Sequence, residues 1–170
     1  AVLFWGLFFG TMAACAAKAE FAVAILGPAA IEQYETMYQD RLEKGALDDG
    51  RAFMTGFYVM NNAGIGLRCF AMGVFFGIGS LITLAFNAIM LGAVFGHMLV
   101  SPSAENFLVF VTAHGPFELT AVVFSAAAGL RMGWALIETH GWSRMESLRQ
   151  TSRQALELAG TGTVLFILAA

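Results

Sequence analysis

The chain has 170 residues, of which 58% are hydrophobic and only 12% are charged, and its formal net charge is −3. A soluble domain carries roughly 25% charged residues, so this composition excludes an ordinary soluble domain and indicates an integral membrane protein, as does the mean hydropathy of +0.71. The acidic balance and the absence of a basic stripe exclude a nucleic-acid-binding domain. Cys15 and Cys69 both lie in apolar segments, where they are typical of small buried residues rather than of a disulfide or metal pair.

Residues 1–28 begin with an apolar segment, Ala1 to Ala17, that predicts a first transmembrane helix. Lys18 and Glu20 interrupt this segment, and the short apolar run that follows ends at Gly27-Pro28. Because the chain begins and ends inside apolar segments, we expect it to be a fragment of a longer protein.

Residues 29–52 form the most polar part of this half, with apolar side chains at helical spacing. This pattern predicts one or two amphipathic helices that lie against the membrane or a partner as an extramembrane loop. A solvated linker is the alternative interpretation.

Residues 57–100 are apolar over about twice the length of roughly 20 residues that one membrane crossing needs. We therefore predict two helices here, with the break between Leu84 and Asn87, where Asn87 is the strongest polar feature.

The next apolar run, 107–137, is about 31 residues long, which as one helix would exceed a hydrocarbon core of about 30 Å. Gly115-Pro116 lies inside this run and predicts a broken helix near His114 to Pro116, with the spanning part beginning near the proline. A last transmembrane helix begins at about Leu158. The predicted fold is an all-α bundle of about five transmembrane helices, with residues 1–170 as a single transmembrane domain.

Arginine distribution predicts the orientation of this bundle in the cytoplasmic (inner) membrane. The loop after the fourth helix is rich in arginine, whereas acidic residues dominate the loop after the first helix; the arginines are Arg131, Arg144, Arg149 and Arg153. The positive-inside rule then places the later loop and the N-terminus in the cytoplasm.

Ionisable and amide side chains inside the apolar segments are the candidate functional residues. Such groups are costly in lipid and mark functional sites by default, although a purely structural polar plug is the equal alternative. We predict that Glu118 is shielded from lipid and paired with Arg68. His114 and one of Asn61 or Asn62 should lie close by. The complete predicted polar cluster is Asn61, Asn62, Arg68, Asn87, His114 and Glu118.

Small residues recur at four-residue spacing along several predicted helices, which lets helix backbones approach closely. This pattern predicts tight helix contacts within one chain or between copies of it, and it implies no cofactor. The predicted packing positions are Gly73, Gly77, Gly92, Gly96, Ser125 and Gly129.

The order of these polar and small residues resembles that of the stage II sporulation protein M family of bacterial and archaeal membrane proteins. The resemblance covers most of the chain. The most specific part is the His114-Gly115-x-x-Glu118-Leu119 step with the upstream Asn61-Asn62 pair. Two departures occur: Ala88 stands where glycine is expected, and the acidic segment after the fifth helix is missing. The other matching residues are Gly73, Gly77, Gly79, Asn87, Leu91-Gly92 and Ala126 to Arg131.

The resemblance implies a membrane protein that anchors cell-wall-degrading partners, as the family's founding member does during engulfment. We therefore expect a scaffold or accessory subunit that contacts the lipid bilayer, other membrane proteins or further copies of itself. A transporter or channel that uses the site around Glu118 is the alternative, because a broken helix inside the membrane resembles a substrate or ion site. An enzyme is not expected, since neither His-Glu-x-x-His nor Gly-x-Ser-x-Gly occurs, and no metal site or cofactor is predicted.

Overall fold

The computed structural model describes the backbone of residues 1–43 and 48–169, and the side chains of residues 1–39 and 60–169. Over these residues the fold is helical and contains no strand, which confirms the predicted all-α class. The helices are α1 (Val2–Ala17), α2 (Ala19–Leu26), α3 (Pro28–Glu43), α4 (Asp48–Ala71), α5 (Ile78–Val100), α6 (Ala104–Ala135) and α7 (Arg144–Ala169), with a 3₁₀ turn at Met72–Val74.

In the described part of the chain, two helices, α5 and α6, are long and apolar enough to cross a membrane. Helix α1 is apolar but has only 16 residues. The count of five crossing segments, like the interpretation of residues 1–170 as one transmembrane domain, stays a prediction.

The predicted boundaries in the first 28 residues are confirmed. Lys18 is extended, with φ −143°, and it separates α1 from α2. Gly27 has φ +81°, a left-handed conformation that favours glycine, and Pro28 is the first residue of α3.

The chain forms two compact units, and the first comprises Ala1–Met54 and Ala85–Ala113. Its main core cluster is Tyr38, Val94, Met98 and Phe107. Tyr38 belongs to α3 and is only 3% exposed, so α3 packs its apolar side inside this unit, and the solvated-linker alternative is wrong for α3. Within the predicted loop 29–52, residues 44–47 lie outside the described part, and helix α4 already begins at Asp48.

The predicted break between Leu84 and Asn87 is wrong, because α5 is continuous from Ile78 to Val100. The chain instead changes direction just before α5, where Phe76 has φ +54° and Gly77 has φ +79°. A half-buried asparagine inside a helix disturbs no backbone hydrogen bond, whereas two successive left-handed residues cannot continue a right-handed helix.

The predicted broken helix near His114 to Pro116 is also wrong, because α6 continues through Pro116. A proline removes one backbone donor, and membrane helices tolerate this loss where neighbouring groups compensate. The carbonyl that loses its donor is that of Thr112, four residues before the proline. One turn after the proline, the Thr120 hydroxyl donates an additional bond to the Pro116 carbonyl at 2.7 Å. At 32 residues the helix is about 48 Å long, so it exceeds a hydrocarbon core of about 30 Å.

The second unit, Thr55–Leu84 with His114–Ala170, is packed through glycines. A methyl group added at Gly73 would overlap the carbonyl oxygen of Gly129, and one added at Gly133 would overlap the backbone nitrogen of Gly77. The segment 72–77 and helix α6 therefore touch backbone to backbone. Ser125 of α6 meets two more glycines, since its hydroxyl would lie 3.0 Å from a methyl group at Gly66 or at Gly162.

Glycines also set a close contact inside the first unit. A methyl group at Gly92 would lie 2.5 Å from the Phe8 carbonyl oxygen, and one at Gly96 would overlap the Met12 carbonyl. Helix α1 therefore approaches α5 closely, and the rings of Phe8 and Phe95 meet edge to face with centroids 5.1 Å apart.

We predict opposite effects for one substitution at two glycines of the second unit. Gly129→Ala places a methyl group 2.5 Å from the Ser80 hydroxyl and 2.6 Å from the Phe70 carbonyl, so unfolding should become easier by about 1–3 kcal/mol. Gly160→Ala meets nothing within 4 Å, so it should be neutral or stabilise its helix by up to about 1 kcal/mol. Thermal unfolding in detergent checks both, and equal effects would contradict the contact assignment.

Candidate functional site

A buried hydrogen bond joins α4 to α6 in the second unit. The Asn62 side-chain amide donates to Oε2 of Glu118 at 2.5 Å. Glu118 is 4% exposed and Asn62 is 9% exposed, so both side chains are buried. The amide donor supplies part of the hydrogen bonding that a buried carboxyl group loses when it leaves water.

The second oxygen of the same carboxyl group, Oε1 of Glu118, is buried and has no hydrogen-bond partner among the described residues. A buried acceptor without a donor is destabilising by about 1–3 kcal/mol. Oε1 can accept a water molecule or a cation, or it can carry a proton. Oε2 is thus held by a hydrogen bond that fixes the carboxyl group, and Oε1 can bind a further ligand.

His114 lies one turn before Glu118 on α6 and is also buried, at 8% exposure. The sequence placed these two residues on one helix face from their four-residue spacing. The continuous helix through Pro116 preserves that spacing, so His114 and Glu118 form the ionisable part of the candidate site.

The predicted pairing of Glu118 with Arg68 is wrong. Arg68 is exposed and forms no ion pair with any residue that the structure describes. Asn62 and Arg68 are six residues apart on α4, which places them on different sides of a helix with 3.6 residues per turn. The neutral amide takes the buried position, and the guanidinium avoids the cost of burial.

The other predicted cluster members are placed separately. Asn61 is exposed although Asn62 beside it is buried, because successive helix residues point about 100° apart. Asn87 lies on α5 in the first unit, where it is half-buried. Of the six predicted residues, the structure brings Asn62 and Glu118 into contact, with His114 one turn away.

Two buried serines of the second unit were missed by the sequence analysis. The Ser80 hydroxyl donates to the Cys69 carbonyl at 2.6 Å, and the Ser147 hydroxyl donates to the Ala135 carbonyl at 2.7 Å. Each serine satisfies a carbonyl near the end of a helix, where no further backbone donor follows. Their only signal in the sequence is a lone hydroxyl near a helix start.

The first unit contains a polar contact that was also missed. His97 of α5 and Glu35 of α3 approach to 2.8 Å, and the Asn106 amide donates to the Tyr38 carbonyl at 2.7 Å. These contacts hold α3 in its own unit. They could not be predicted from the sequence, because the two residues of each pair are more than 60 positions apart.

No group of three histidine, cysteine, aspartate or glutamate side chains that could hold a metal ion occurs in the described part of the chain. Cys15 and Cys69 are buried free thiols.

We predict strong coupling between Asn62 and Glu118. Asn62→Leu leaves both carboxyl oxygens without a donor and should destabilise the protein by about 1–3 kcal/mol. Adding Glu118→Leu removes the orphaned carboxyl group and should restore most of that loss, because replacing both partners of a buried bond can be nearly neutral. Unfolding of the single and double variants measures the coupling.

Asn61→Leu is the matched control for this cycle, since Asn61 is the exposed neighbour of Asn62 and should change stability by less than about 0.5 kcal/mol. Additive effects of the Asn62 and Glu118 substitutions would contradict the hydrogen bond.

The chain matches one protein-family profile, described as stage II sporulation protein M, over residues 1–170. Searches of curated proteins and of solved structures each gave no match. The match covers the whole chain, and it agrees with the two long apolar helices in indicating a membrane protein. The chain therefore belongs to the stage II sporulation protein M family.

Proposed function

We propose that this protein is an integral membrane scaffold or accessory subunit that holds partner proteins in the membrane. The observation that carries the proposal is the bond between Asn62 and Glu118, which lies within the second unit and is shielded by it. A polar pair of this kind fixes how two helices meet, as interhelical amide and carboxyl contacts do in membrane bundles. It needs no ligand to fulfil that role.

The packing supports the same proposal. Backbone contacts such as Gly73 with Gly129 leave no space for helices to slide past one another, so the second unit is suited to present a fixed surface. Two cavities of this unit, one near Arg131 and one near Phe166, include neither Asn62 nor Glu118 in their linings.

Gly6 and Gly10 offer a surface for such partners. Both are exposed on α1, and a methyl group at either would meet nothing within 4 Å among the described residues. A small-residue pair at this spacing suits close approach by another membrane helix, either from a second copy or from a different protein. We place the protein in the cytoplasmic membrane, with its N-terminus in the cytoplasm, on the arginine pattern alone.

A transporter or channel is the second candidate, and one observation favours it. Oε1 of Glu118 is buried and has no partner in the part of the chain that the structure describes, as expected of an oxygen that releases and rebinds a proton or cation during transport. In a transporter, Asn62 would orient the carboxyl group of Glu118, and Oε1 would bind and release the proton or cation.

Two measurements on the complete protein distinguish a scaffold from a transporter or channel. In proteoliposomes with a proton, sodium or potassium gradient, a scaffold gives no flux above empty vesicles. After crosslinking in native membranes, Glu118→Gln should retain the partners of the wild type, whereas Gly129→Ala should recover less of them because the packed surface is disturbed. Gly160→Ala is the control and should behave as the wild type.

A wild-type flux that Glu118→Gln abolishes would overturn the scaffold proposal in favour of transport. Recovery of the same partners from Gly129→Ala at wild-type yield would also contradict it, since the packed surface would then be irrelevant to binding.

A further inference from the structure

A cavity of about 300 Å³ lies where α6 ends and α7 begins, within the second unit. Its lining includes Arg131, Trp134, Glu138, Trp142 and Gln150. None of these residues takes part in the site around Glu118, so the cavity is independent of the proposed function.

Arg131 brings a permanent positive charge to this cavity. Its Nε and Nη2 atoms donate to the side-chain oxygen of Gln154, a neutral partner. No carboxylate pairs with Arg131 among the described residues. By contrast, Arg153, which is next to Gln154 on α7, pairs with Glu157 at 3.2 Å. Gln154 therefore fixes the guanidinium group, and its Nη1 donors stay available to an anion.

Two tryptophans on the cavity lining are more than half exposed. Trp134 is 55% exposed and Trp142 is 58% exposed. Trp134 lies at the end of α6, one of the two helices long and apolar enough to cross a membrane. Tryptophan is enriched at the level of the lipid headgroups, where its ring contacts apolar carbon and its N–H reaches polar groups.

We propose that this cavity binds the phosphate of a phospholipid headgroup, with Arg131 contacting the phosphate oxygens. A guanidinium group matches phosphate through two parallel hydrogen bonds, and basic pockets at the ends of membrane helices bind lipid headgroups. Trp134 and Trp142 contact the glycerol and the upper acyl carbons. The carboxylate of Glu138, which lies 3.6 Å from Nδ1 of His140 on the same lining, opposes the phosphate and weakens its binding.

The test uses the complete protein in neutral detergent, with Trp5 and any tryptophan outside residues 1–170 replaced by phenylalanine, so that fluorescence reports only Trp134 and Trp142. Short-chain phosphatidylglycerol and phosphatidylcholine should both shift the emission, and diacylglycerol with the same chains, which lacks phosphate, should not. Inorganic phosphate should bind far more weakly than either phospholipid, because it lacks the carbon that contacts the tryptophans.

Variants locate the binding. Arg131→Met should weaken phospholipid binding about tenfold or more, the loss expected for a charged hydrogen bond. Arg131→Lys should give an intermediate loss, because it keeps the charge without the paired donors. Glu138→Gln should bind phosphatidylglycerol at least as tightly as the wild type. Arg153→Met is the matched control, since it removes the same charge outside the cavity lining and should not change the affinity.

Several results would overturn the proposal. Diacylglycerol that shifts the emission as strongly as the phospholipids would make the cavity a general apolar site. Equal losses in Arg131→Met and Arg153→Met would reduce the effect to general charge attraction. Inorganic phosphate that binds as tightly as phospholipid would assign the site to free phosphate. Should Arg131→Met fail to fold, Arg131→Lys and Glu138→Gln still decide the outcome.

Discussion

Backbone contact between the segment 72–77 and helix α6 is the constraint on which the second unit depends. Apolar side chains gain little by leaving lipid for a protein interior, so membrane helices associate through close packing and interhelical hydrogen bonds. Gly73 and Gly77 supply that closeness against Gly129 and Gly133, where even one methyl group would overlap backbone atoms. The left-handed backbone at Gly77 turns the chain at the same point. Ser80 donates to the Cys69 carbonyl there, so a carbonyl that the break would leave without a donor is satisfied.

The bond between Asn62 and Glu118 depends on that contact, because α4 leads directly into the segment 72–77 and the bond joins α4 to α6 elsewhere along their length. A carboxyl group at 4% exposure is costly unless its partner is held in place. The packed glycines hold α4 against α6, and the Asn62 amide then donates a hydrogen bond to one of the two carboxyl oxygens of Glu118. Oε1 of Glu118 has no donor among the residues described, so this is the part of the fold where a role beyond packing would arise.

The sequence predicted those features that depend on local chemistry. Composition indicated a helical membrane protein, Lys18 and Gly27-Pro28 marked helix ends, and the four-residue glycine spacing pointed to positions that lie at close helix contacts. Features that depend on which residues meet in space were not predictable. Asn62 and Arg68 are equally polar marks on one helix, and only the rotation of α4 decides that the amide, not the guanidinium, meets Glu118. The helix breaks were misplaced because Pro116 and Asn87 disturb a helix less than the pair Phe76-Gly77 does.

Solid-state NMR of the complete protein in lipid bilayers, with carbon-13 only in glycine, tests the central contact most directly. We expect through-space cross-peaks between Gly73 and Gly129 and between Gly77 and Gly133, because these backbones touch. Pairs close in sequence, such as Gly64 with Gly66 and Gly160 with Gly162, give the internal standard for signal intensity. If both long-range cross-peaks are absent while the standard pairs are visible, the segment 72–77 and α6 do not touch backbone to backbone.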